Sequence, residues 1–140
     1  MDDLHEVFES VARYFSVLGE PTRLRILHAL CQEEKCVNDI IKVTGLAQAN
    51  VSRHLGLMYQ AGMLSRRREG TQIFYKVADP LYVELCRSVT TQLLVRADPA
   101  TAAREGLSHF ADGLSAPADH TTASHSPTQT PANQKEQASV

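Results

Sequence analysis

Apolar positions recur along this chain with two different periods, and the change of period marks its elements. Val7, Phe8, Val11, Tyr14, Phe15 and Leu18 fall at steps of three and four, the stripe of an amphipathic helix, and Gly19 ends it. Glu20-Pro21-Thr22 opens a second helix, with proline in the first turn where its missing N–H costs nothing. Leu24, Ile26, Leu27, Leu30 and Cys31 line that helix as far as Gln32-Glu33-Glu34. From Cys36, the run Val37, Ile40, Ile41, Val43 predicts a short third helix closed at Thr44-Gly45. A fourth runs from Ala47 to Ala61, with Val51, Leu55 and Met58 on one face and Gln48, Asn50, Ser52, Arg53 and His54 projecting elsewhere. After Gly62 the period shortens to two. Met63-Leu64-Ser65-Arg66-Arg67 and the run from Thr71 to Val77 predict a β-hairpin around Arg68-Glu69-Gly70. Asp79-Pro80 then caps a closing helix faced by Leu81, Leu85, Cys86, Val89 and Leu93.

Beyond Arg96 the pattern weakens. Residues 97–114 hold at most a weak helix, and residues 115–140 are mostly Ser, Thr, Pro, Ala, Gln and His, too poor in large apolar groups to offset the entropy of ordering. The expected organisation is one folded domain over 1–96 and a disordered C-terminal tail. With 140 residues, 43% of them apolar, the chain can bury one core and has no room for a large two-domain enzyme. The acidic opening Met1-Asp2-Asp3-Leu4-His5-Glu6 is unlike a secretory signal, and no apolar stretch approaches the roughly 20 residues that cross a bilayer, so the expectation is a cytoplasmic protein without membrane contact.

Charge sharpens the picture. The net charge of −2 speaks against a nucleic-acid partner, but its distribution reverses that. Residues 44–76 carry Arg53, Arg66, Arg67, Arg68 and Lys76 against a single acid, Glu69, while both flanks are acidic on balance. Screening confines exposed charges to about 8 Å at physiological salt, so a local cationic surface counts for more than the global sum. Helix, tight turn, helix and basic hairpin, in that order, predict a mainly α winged helix-turn-helix. A major groove about 12 Å wide admits one helix whose exposed face reaches base edges. Gln48 and Asn50 suit adenine, Arg53 suits guanine, and Ser52, His54 and Thr71 suit phosphate or adaptable contacts. Arg66, Arg67 and Arg68 would track the backbone or enter the minor groove. A polar helix face or an arginine run is ordinarily just solvated; it is the combination in this order that points to DNA.

Three segments carry a resemblance: Leu18 to Leu27 (Leu-Gly-Glu-Pro-Thr-Arg-Leu-Arg-Ile-Leu), Val51-Ser52-Arg53-His54-Leu55, and Arg67 to Tyr75. Together they resemble the ArsR/SmtB family of metal-sensing repressors over roughly residues 5–95. The resemblance implies a homodimer built on the first and last helices, an operator that is an imperfect palindrome of double-stranded DNA, and release when an inducer binds. Val7, Val11, Phe15, Leu85, Val89 and Leu93 are the expected dimer residues, since two apolar terminal faces need more cover than so small a body provides. One departure is Ala47, where the family often has a serine cap at the start of the recognition helix.

The inducer is less legible. Cys36-Val37-Asn38 matches only the first cysteine of the Cys-Val-Cys that arsenic- and cadmium-type members carry. Asp79 matches the first of the zinc-type ligands, but Leu81, Gln92 and Val95 stand at the others. Cys31 and Cys86 lie on the two helices where sulfur-responsive members carry cysteines, each offset from the usual position. A metalloid or Zn²⁺ needs about three or four ligands, a dithiol switch only two close thiols. Cys36, taken as the more exposed thiol and near Lys35, is the best candidate ligand for a soft metal or metalloid inducer, with Cys31 and Cys86 as further sensing candidates. Cys31 and Cys86, on apolar faces, suit simple packing as well. No cofactor motif is present, and His109, His120 and His125 suggest only incidental metal capture. A thiol enzyme using Cys36 with His28 or His5 would lack an orienting third group, so the chain reads as no enzyme. The alternative is a winged helix that binds protein without inducible DNA binding.

Overall fold

Six helices and three strands make up the computed structural model, which describes residues 2–114; the tail expected over 115–140 lies outside them. The helices are α1 (Asp2–Leu18), α2 (Pro21–Leu30), α3 (Val37–Thr44), α4 (Gln48–Gln60), α5 (Pro80–Arg96) and α6 (Ala102–Leu114). The strands are β1 (Lys35–Cys36), β2 (Leu64–Glu69) and β3 (Gln72–Val77), in the antiparallel order β1-β3-β2. The arrangement is a winged helix-turn-helix.

Local chemistry accounts for most boundaries. Glu20 caps α2 by accepting from the Arg23 amide at 3.2 Å, and Asp79 caps α5 by accepting from the Leu81 amide at 2.9 Å, each ahead of a first-turn proline. Gly45, at φ 69°, closes α3 in the left-handed conformation its sequence position predicts. The hairpin turns later than expected. Arg68 and Glu69 are paired with Ile73 and Gln72, leaving Gly70-Thr71 as a two-residue loop with glycine at its first position, where φ is 61°. Strand β1, only two residues long, was below what periodicity can detect; it pairs Lys35 with Tyr75 and Cys36 with Phe74.

Ile26, Leu27, Ile40, Val51, Leu55, Met58 and Met63 are sealed in the core, so the apolar faces read along α2, α3 and α4 converge as their spacing requires. Tyr14 joins α1 to α5: its ring stacks on Tyr82 at 4.7 Å and its hydroxyl donates to Asp79 at 3.1 Å. Two expectations need correcting. The packed body does not stop at Arg96, because α6 folds back over α2 and α5 and buries Leu114 completely. Cys36 is not the exposed thiol; it is 6% exposed, held in β1 and serving as the residue before α3.

Candidate nucleic-acid interface

Helices α3 and α4 differ from their neighbours at their first turns. Neither Cys36 before α3 nor Ala47 before α4 caps with its side chain. The N-terminal amides of these two helices are therefore left for another acceptor, and the helix dipole favours an anion there. Gln48, Ser52 and Arg53 are exposed on α4, Asn50 is half-buried, and Thr71 is exposed at the wing turn. A recess of about 260 Å³ joins these parts, lined by Gln48 and Ser52 of α4, Thr71 and Gln72 of the wing, and Cys36 and Asn38 at the start of α3.

His54 departs from the expected set. It is 3% exposed and turned into the body, where its Nδ1 accepts from Arg23 Nε at 3.2 Å. Its Nε2 lies between Arg53 Nη2, at 3.3 Å, and the Glu20 carboxylate, at 3.6 Å. Burial lowers the His54 pKa, with Arg53 and Arg23 acting in the same sense and Glu20 opposing them. Glu20 in turn, although desolvation raises it, is held below its usual range by the amides of Thr22 and Arg23 and by His54. Arg23 also reaches the carbonyls of Ser16 and Val17, both at 3.4 Å, at the end of α1. His54 is thus a joint between α1, α2 and α4 and cannot be a groove contact while it stays there.

The wing arginines divide by face. Residues paired across β2 and β3 share a side of the sheet, so Arg66 and Arg68 lie opposite Arg67. Arg66 sits with its guanidinium 4.0 Å over the Tyr59 ring of α4. Arg67 is bound on the other side: it donates to Glu34 at 2.6 and 2.8 Å and to Glu69 at 2.6 Å, and lies over Phe74. Those carboxylates, Glu34 foremost, raise its pKa further. Arg68 contacts only the Gly70 carbonyl, at 3.3 Å, and stands on the α4 side. The three arginines expected to track the backbone or enter the minor groove are thus held differently, with the middle one paired to Glu34, 33 positions away.

Cys31 and Cys86 lie within electrostatic reach of one another, and Cys36 is buried beside the recess. Burial, and then the neighbouring Cys86, push the Cys31 thiol up to about 11; burial raises Cys86 as well. Lys35, expected to activate Cys36, pairs with Glu33 at 3.2 Å. Among the described residues no group of three or more His, Cys, Asp or Glu could hold a metal ion.

The family model described as "Bacterial regulatory protein, arsR family" matches residues 20–66, from the cap of α2 to Arg66. An HTH-type transcriptional regulator of Methanocaldococcus jannaschii is 36% identical over 85 residues, 60% of this chain and 96% of that protein. Among solved structures, the homodimeric winged helix-turn-helix DNA-binding domain of a possible ArsR-family regulator from Mycobacterium bovis aligns with a TM-score of 0.60 and 30% identity, over 66% of this chain and 86% of that one. This chain belongs to the ArsR family. Within it, a "probable mercury resistance operon repressor" of Streptomyces lividans is 34% identical over 77 residues, 55% of this chain and 62% of that repressor's own length. The family-matched segment contains the whole Glu20-Arg23-His54 joint. Sequence inspection alone had no signal for that joint, since Arg23 and His54 are 31 positions apart and both look like ordinary surface residues. Among the described residues no helix is long and apolar enough to cross a membrane.

Proposed function

We propose that this ArsR-family chain is a transcriptional repressor that grips an imperfect palindrome of double-stranded DNA as a homodimer. The single observation that carries the reading is the uncapped, polar first turn of α4 beside the wing turn, in the basic stretch of residues 44–76. In this reading Gln48, Asn50, Ser52 and Arg53 enter the major groove. The free amides of α3 and α4, with Thr71, take phosphates, and Arg68 extends along the backbone. Arg66 supports the wing from α4, and Arg67 contributes only after its carboxylates let go. The homodimeric Mycobacterium bovis neighbour supports the assembly, with Val7, Val11 and Phe15 of α1 and Val89 and Leu93 of α5 exposed and Leu85 half-buried.

The inducer in this reading is a soft, thiophilic ion or a thiol-reactive species. Cys31 and Cys86 are its site, in preference to Cys36, because they are the two thiols within electrostatic reach of each other. Two thiolates suffice for a two-coordinate soft metal, and the mercury resistance repressor among the relatives is consistent with such an ion. Both thiols hold their protons at neutral pH, so capture must displace them.

Fluorescence anisotropy on the DNA upstream of the chain's own gene tests the assignment. Affinity should fall steeply with salt, and Arg53→Ala with Arg68→Ala should weaken it by about 1–3 kcal/mol or more, while Arg67→Ala has the smaller effect. Salt-independent binding, or a double variant that binds as the parent does, would overturn the DNA face and favour a protein-binding winged helix. Addition of Hg²⁺ should release the DNA, and Cys31→Ser should abolish that release.

A further inference from the structure

Between α1, α2, α5 and α6 lies a half-open recess of about 380 Å³ that the DNA contacts do not use. Its floor is Cys86 and Thr90, only 7% and 3% exposed, and its rim is Phe15, Val89 and Leu93 on the expected dimer face. Leu107 and Phe110 of α6 form the remaining wall. That wall is fastened, not loosely laid. Gln32 Nε2 donates to the Gly113 carbonyl at 2.6 Å, Arg87 donates to the Leu114 carbonyl at 2.8 Å, and Arg104 donates to the Leu94 carbonyl at 2.8 Å.

The lining has a definite chemistry. No charged side chain reaches it. The Thr90 hydroxyl is spent on the Cys86 carbonyl of its own helix, at 2.6 Å. The Cys86 thiol, kept protonated by burial, is a weak partner at best. Water on this lining finds almost nothing to bond, so its displacement by hydrocarbon is favourable. A charged ligand would leave its charge unpaired, which is far costlier. The volume falls within the range of about 300–1,000 Å³ typical of small-molecule sites.

We propose that this cavity is a binding site for a small, uncharged, largely hydrocarbon molecule of about bicyclic aromatic size. A second copy of the chain is the rival occupant, but its natural contact is the rim: helices about 10 Å across, side chains included, lie over Phe15, Val89 and Leu93 and roof the recessed floor. Dimerisation would then enclose the cavity and leave its volume for a ligand.

The test is equilibrium dialysis of the full-length protein against naphthalene, with naphthalenesulfonate as the charged partner of the same ring size. A saturable uptake of naphthalene near a single molecule per chain is expected, with the sulfonate at least about tenfold weaker. Leu107→Trp on α6 and Leu24→Phe on α2, each shown to be folded by circular dichroism, fill the space from opposite sides and should remove the uptake. Leu107→Ala should retain it. Equal affinity for the sulfonate, or a folded filling variant that binds naphthalene like the parent, would overturn the site. So would a dimer that takes up none, since the partner's side chains would then occupy the space. DNA enters none of these measurements, so failure of the repressor reading leaves the result intact.

Discussion

His54 sits among the residues of a recognition helix, yet its surroundings make it a joint. Its ring is buried, accepts a hydrogen bond from Arg23 and faces Glu20, which itself caps α2. The charged imidazolium would lose that acceptor and meet two guanidinium groups. Its pKa is lowered for these reasons, burial first, and that of His28 is lowered by burial and by His109. The unfolded chain therefore binds protons that the folded chain refuses. Stability is unaffected well above the ordinary histidine value and falls as pH drops below about 6.5. Thermal unfolding followed between about pH 8 and about pH 5.5 should show that decline. His54→Gln, whose side-chain carbonyl can still accept from Arg23, should make it shallower without large loss at the upper pH. An unchanged slope would mean the ring titrates freely. None of this was legible in the sequence, where Gln48, Ser52, Arg53 and His54 are equally polar and only the fold says which side each faces.

Helix α6 shows how packing overrides weak local preference. Gly106 and Gly113 lower its intrinsic helicity, and few aliphatic residues mark its face, so it reads as marginal. Leu107, Phe110 and Leu114 nevertheless recur at steps of three and four, and the tertiary contacts they make are what hold a short helix in water. Phe110 stacks on His28 with ring centroids 5.1 Å apart, and a Cβ on Gly113 would run into the His28 ring. Two stability measurements follow from this packing. Leu114→Ala should lower the unfolding free energy by about 2–5 kcal/mol in urea titrations. Gly113→Ala should cost about 1–3 kcal/mol through overpacking, and that cost should vanish, or turn into a gain of up to about 1 kcal/mol, when His28→Ala is present. A penalty that persists without the imidazole would show that the collision is not its cause.

At the scale of the whole molecule, an apolar ridge on α1 and α5 is left uncovered among the described residues. Phe8 is 64% exposed, Phe15 and Val89 58% each, an arrangement a lone soluble domain rarely keeps. Val11→Asp with Val89→Asp should therefore turn the species seen by analytical ultracentrifugation from two chains into one, with operator affinity lost alongside. A variant that remains dimeric would move the interface elsewhere. Taken alone, the sequence already determines the first five helices, the hairpin and the basic window between Thr44 and Lys76. Those follow from periodicity, caps, glycines and local charge, which act over a few residues. Tertiary structure alone decided that His54 turns inward, that Glu34 takes Arg67 from the wing, that Cys36 is buried, and that α6 walls a recess. Each of these depends on side chains from separate elements meeting across tens of residues, and such encounters are set by how whole elements pack, which no local pattern records.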